Sequence, residues 1–196
     1  MARPSNTLQR REQIVDGLLD VMATRGYEGA SIVAIAKAAG LAPGLVHYHF
    51  DTKAEVLLAL VERLVGQVRA RYAARPGDRL DAFIDAHLAL GPDADPRAVA
   101  AWSIVGAEAL RQPDVRRLYR AALASTLKEL KNRVAARLRE EKRSTRNAGR
   151  ISAAIVSAIE GAFRIAAAAP GALPGGYAAP MVRRMAAGLV AAEPRA

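Results

Sequence analysis

His47 and His49 flank Tyr48, and Lys53 follows four residues further on, so imidazole, phenol and ammonium groups crowd one short stretch. On a strand, an HxH would point two imidazoles the same way and could begin a metal site. On a helix the two diverge by about 200°, and no Cys, Asp or Glu at useful spacing completes a coordination sphere. His87, the third histidine, is remote in sequence. No HExxH, GxSxG, P-loop or strand-following GxGxxG occurs, and the paired carboxylates Glu140 and Glu141 sit in a basic, solvated run. No catalytic site, metal or cofactor is expected.

The surrounding residues predict a helix-turn-helix that would aim them. Ser31 stands as a side-chain acceptor before Ile32, Ile35, Ala36 and Ala39, which share one helical face. Gly40 follows, where a left-handed residue should end the helix. Pro43 has the fixed φ of a first turn. Val46 and Phe50, four apart, can face one core, leaving Leu45, His47, Tyr48 and His49 largely outward. So short a helix with such an outward face reads as one that enters a DNA major groove.

From about Arg10 to Leu60 the chain resembles the N-terminal DNA-binding domain of the TetR/AcrR family of bacterial transcriptional regulators. The matching residues are Ile14, Gly26-Tyr27, Ser31, Ile35-Ala36, Ala39-Gly40-Leu41, Gly44, His47 through Phe50, Lys53 and Val56-Leu57. Three helices, their turn and a following lysine agree in register over about a quarter of the chain. Ala42 stands where the family often has a capping Ser or Thr, and His47 and His49 replace its usual aromatics, departures that bear on the operator sequence. The resemblance implies an all-α protein of about nine helices. Its head, 1–53, would read DNA, and its body, 54–196, would bind an effector and dimerise. Pro43, Gly44, Leu45, His47 and Tyr48, following Ala42, are expected at base edges. Ser31, Tyr48, His49 and Lys53 are expected at phosphates.

The formal charge of +10 favours a polyanion partner. Residues 1–53 hold six Lys/Arg against five acids, however, so bulk charge does not locate the DNA surface. Arg3, Arg10 and Arg11 could serve an N-terminal arm reaching phosphates or a minor groove, or belong to a solvated tail. Absence of cysteine excludes disulfides and thiolate metal sites. The polar N-terminus lacks a signal-peptide core, and apolar stretches are broken by charge or proline. A cytoplasmic protein with no membrane span is expected.

Periodicity predicts a first helix ending at Arg25, with Ile14, Leu18, Val21 and Met22 buried. Another should run from Lys53 to about Arg75, stopped by Pro76-Gly77-Asp78. In the body, helices are expected at 79–89, 96–111, 114–143, 147–168 and 179–192, separated by GPDADP at 91–96, Gln112-Pro113 and the tract at 169–176. Between Lys128 and Arg150 nine Lys/Arg face three Glu, a run read chiefly as a solvated face.

Small residues on 147–168 would let another helix approach closely. Ala154, Ile155, Ala158, Gly161 and Ala162, with Met185 and Leu189 of the last helix, are therefore the expected homodimer interface. Phe83, His87, Trp102, Val105, Glu108, Tyr119 and Phe163 are the candidate walls of the effector pocket the resemblance implies. Each is also a candidate core residue. The expected function is a homodimeric regulator, a repressor released from an inverted-repeat operator in double-stranded DNA by a small-molecule effector. The alternatives are a regulator of this kind without a ligand, or a non-specific nucleoid-type DNA-binding protein.

Overall fold

Seven apolar or small residues on one side of Asn6–Arg25 (α1), among them Ile14, Leu18 and Met22, are buried, and Gly26 ends the helix at φ +68°. The computed structural model describes residues 6–75, 79–88, 90 and 95–196. Among them lie nine α-helices: α1, α2 (Ile32–Ala38), α3 (Pro43–His49), α4 (Lys53–Ala73), α5 (Arg79–His87), α6 (Pro96–Glu108), α7 (Pro113–Glu140), α8 (Ala148–Ala168) and α9 (Ala178–Ala191). The only extended pairing among the described residues is an isolated bridge between Arg143 and Arg195. The expected stop at 76–78, most of GPDADP and Arg3 lie outside the described residues.

Packing divides the chain into two compact units. The first comprises residues up to Gly66 together with Asp95–Tyr119. Here α1 packs on α2, α3 and α6, and Ile14, Leu18, Ile35, Val46, Leu57, Leu60 and Val105 are buried. α1 and α2 approach so closely at Gly17 that an added Cβ would stand 2.6 Å from the Ile35 carbonyl oxygen. Arg97, beside the capping Asp95 of α6, also reaches Asp20 of α1 at 2.6 Å. Arg63 of α4 pairs with Asp16 at 2.7 Å and Glu12 at 3.4 Å.

The second unit comprises Gln67–Ala94 and Arg120–Ala196. Leu80, Phe83 and Ile84 of α5, Leu130, Val134 and Leu138 of α7, Ile151, Ile155 and Ile159 of α8, and Val182, Ala186 and Val190 of α9 form its core. Helices end earlier than periodicity suggested. α5 stops at His87, α6 at Glu108 and α7 at Glu140, where Lys142 takes a left-handed φ of 54°. By length and composition α8 alone among the described helices is apolar enough to cross a membrane, although Arg150, Glu160 and Arg164 interrupt it, as expected. A core helix of a soluble protein meets the same criterion, and Ile151, Ile155 and Ile159 are buried in the unit's own core.

Candidate nucleic-acid interface

The turn that presents α3 is built as its sequence requires. Ser31 Oγ accepts from the Ala34 N–H at 3.1 Å and caps α2. Gly40 takes φ +66°, a conformation that Gly adopts without the penalty of a Cβ. Ala42 is extended and gives no side-chain cap. Pro43 fills the first turn of α3, where one fewer N–H needs a partner. Val46 and Phe50 are buried, anchoring one side of this two-turn helix.

The opposite side is open. Pro43, Gly44, His47 and Tyr48 are exposed, Tyr48 at 79%. Leu45 and His49 are half-buried. The rings of Tyr48 and His49 meet edge-on with centroids 5.0 Å apart. Pro43, Gly44, His47 and Tyr48 therefore share one helix and one accessible side, whereas Leu45 and His49 lie at its edges.

Lys53, the first residue of α4, donates to the Tyr27 carbonyl at 3.0 Å, and its ammonium sits 4.1 Å from the centre of the Tyr27 ring. Burial pulls its pKa below the usual lysine range, while Glu108 and Glu28 act the other way. Burial also pushes the Tyr27 phenol up, helped by Asp114 and Glu108. Of the arginines considered for an arm, Arg10 donates to Gln13 at 2.8 Å. Arg11 turns inward: its Nη1 donates to the His49 carbonyl at 2.5 Å, and its guanidinium lies 4.0 Å over the Phe50 ring. Sequence reading missed this role, because the partners are 38 positions apart. Gly17 was missed too, although a glycine in mid-helix is itself a signal of close backbone approach.

The candidate pocket residues fall into both units. In the first, Trp102 and Tyr119 place their rings 5.6 Å apart, with Gly106 beside Tyr119 and Val105 buried. Glu108, 6% exposed, receives hydrogen bonds from Arg111 at 3.1 Å and Gln112 at 2.9 Å. The partner that its burial demanded comes from the turn that follows it. In the second, Phe83 stacks on His87 at 4.1 Å and meets Tyr72 at 6.0 Å. Arg133 places its guanidinium 4.5 Å from both the Tyr72 and Phe83 ring centres. Phe163 is half-buried against the same core.

The interface candidates also divide. Ile155 and Ala162 are turned into the chain's own core and offer little surface. Ala154 is exposed, and Ala158, Gly161, Met185 and Leu189 are half-buried. Ile165 and Met181, on the same two helices, leave 42% and 50% of their surface open.

Comparison with known proteins agrees with this geometry. Residues 14–60 match the family model for bacterial regulatory proteins of the tetR family, and residues 76–191 match that of the BetI-type transcriptional repressor C-terminal region. The HTH-type transcriptional regulator BetI of Rhizobium meliloti (strain 1021) is 35% identical over 115 residues, covering 56% of this chain and 56% of that protein. The chain thus spans little more than half the length of that relative. A transcriptional regulator from Rhodococcus sp. Rha1 superposes with a TM-score of 0.78 at 25% identity, over 93% of this chain and 97% of the other. A regulator from Saccharomonospora viridis, solved in complex with choline, shares the fold with a TM-score of 0.73 at 20% identity, over 94% and 97% of the two chains. An α3 that buries Val46 and Phe50 and exposes His47 and Tyr48, joined to a body that matches a repressor's C-terminal region, places this chain in the TetR family of bacterial regulatory proteins.

Proposed function

We propose that this protein is a sequence-specific, DNA-binding transcriptional repressor that acts as a homodimer on an inverted repeat and is released by a small apolar or amphipathic effector. One observation carries the reading. α3 separates its anchoring residues from an exposed side bearing His47 and Tyr48, with the ammonium of Lys53 at the start of the next helix. Base edges need fixed donors and acceptors, and phosphates need positive charge. The exposed Ala154 and the half-buried Ala158 and Gly161, flanked by the half-buried Met185 and Leu189, suit close approach of the same strip from a second copy. Two-fold symmetry then calls for half-sites about 34–36 Å apart, or a multiple of that.

For the effector, the neighbour solved with choline suggests an onium ion. In this chain the ring faces of Tyr72 and Phe83 already carry the Arg133 guanidinium. An onium ligand seated there has to displace that cation, which favours a neutral or amphipathic molecule. The family is one of regulators rather than enzymes, and cytoplasmic action follows from the proposed DNA target.

Selection of binding sites from a random duplex library tests the reading. A short inverted repeat is expected. Replacing His47 by Ala should change the preferred bases and weaken binding by about 1–3 kcal/mol at the contacted pair. Uniform protection of all sequences would instead identify a nucleoid-type binder. An unchanged motif at unchanged affinity would move the groove-reading face off α3.

A further inference from the structure

We infer that Arg11 is a positioning residue for DNA recognition: from α1 it fixes the last turn of α3, and with it the direction of His47 and Tyr48. The inference rests on the reading of α3 as the helix that enters the groove. α3 is seven residues long, too short to be stable alone. The last carbonyls of any helix lack intrahelical partners. Arg11 Nη1 supplies a donor to one of them, the carbonyl of His49, at 2.5 Å. The same guanidinium lies flat over Phe50, 4.0 Å from its ring centre. Phe50 is the C-cap of α3, is almost wholly buried, and returns its own N–H to the Val46 carbonyl at 2.9 Å.

Two contacts from one planar group thus converge on the helix end, while its charge opposes the negative pole there. Only arginine combines a directed N–H, a delocalised face and a permanent charge. Tyr48 and His47 sit one and two residues before the anchored carbonyl, so a loosened last turn would let both side chains sweep. Readout of bases depends on that orientation. Phosphate contacts, which long flexible cations make over a range of geometries, depend on it far less. The competing role for Arg11 is a direct phosphate contact, and the two roles leave different signatures in salt.

The test measures fluorescence anisotropy of the full chain with its selected duplex and with a random duplex of equal length, across a salt series. Arg11→Ala should lose about tenfold or more on the selected duplex, the scale of a charge-assisted hydrogen bond. Its affinity for the random duplex and its salt slope should stay unchanged. Amide exchange should quicken at Phe50 and in the last turn of α3 but not in α1. Arg11→Gln, which keeps a donor for the carbonyl without charge, should recover part of the loss at an unchanged slope. If Arg11→Ala fails to fold, Arg11→Gln and Arg11→Lys carry the comparison. A slope flattened by about one unit, with both duplexes weakened alike, would assign Arg11 to phosphate and overturn the inference. Undiminished selected binding in all three variants would overturn it as well. A wild-type chain that selects no motif fails the underlying reading, and the Arg11 inference falls with it. A motif that is selected and shifts on His47→Ala, yet ignores Arg11, fails the inference alone.

Discussion

The Lys53 ammonium is held between the carbonyl of Tyr27, at 3.0 Å, and the face of the same tyrosine's ring, at 4.1 Å. One of its three protons is directed at the carbonyl and the ring covers another side of the group, so the proposed phosphate contact must come from the side that stays open. Lys53→Met keeps the stem against the ring and removes the charge. Operator and random duplex should then weaken alike, with the salt slope flatter by about one unit. An unchanged slope would make Lys53 a strut under the Tyr27 turn and nothing more.

Gly17 puts two opposed effects in one substitution. Alanine in a helix interior is favoured over glycine by about 1 kcal/mol. Its Cβ, however, would meet the Ile35 carbonyl oxygen at 2.6 Å, and backbone cannot turn aside. Overpacking of this kind costs about 1–3 kcal/mol. Gly17→Ala should therefore lower the urea midpoint. A raised midpoint would mean that α2 slides freely on α1.

How much was legible in the sequence follows the distance over which each interaction acts. Ser31, Gly40 and Pro43 announced the turn because caps and left-handed glycines are local chemistry, and all three take the expected places. The buried stripe of α1 was equally plain, since periodicity needs no knowledge of the partner. The end of α7 was hidden, because a lysine rather than a glycine takes the left-handed position at 142. Arg11 looked like any solvent-facing cation near a terminus. Its true neighbours come close only after the head has folded. In α8 the small residues and the isoleucines were both visible, but which of them faces inward depends on α9 and α5.

His87 gives a pH dependence with a definite sign. Burial lowers its pKa below 6.5, outweighing the Phe83 carbonyl, which accepts from Nδ1 at 2.9 Å and works to raise it. The neutral ring is the native form. Its contribution is complete above the unfolded value of about 6.5. It is lost as the pH falls from there toward the folded pKa, because the unfolded chain then binds the extra proton. Melting temperature should fall from pH 7.5 to 5.5. His87→Gln, which keeps a donor for the Phe83 carbonyl, should flatten that fall. Equal slopes in the two proteins would assign the acid sensitivity elsewhere.

Ala154 is the most exposed of the proposed seam residues, so a charge there leaves the chain's own core alone. Ala154→Glu should sediment as a monomer and lose most operator affinity, because a carboxylate pressed between two apolar strips has no partner. A dimer that persists and binds normally would place the interface off α8.

Division of labour within α3 has a consequence for how such regulators diversify. The residues that keep the helix in place, Val46 and Phe50, and the residues proposed to meet DNA, His47 and Tyr48, do not overlap. On the proposed reading, substitutions at His47 or Tyr48 alter what is read without burdening the fold, whereas changes at Val46 or Phe50 do the reverse. A duplicated copy of this chain can drift to a new operator through single neutral steps in stability, so its lineage is free to acquire new target genes without passing through an unfolded intermediate.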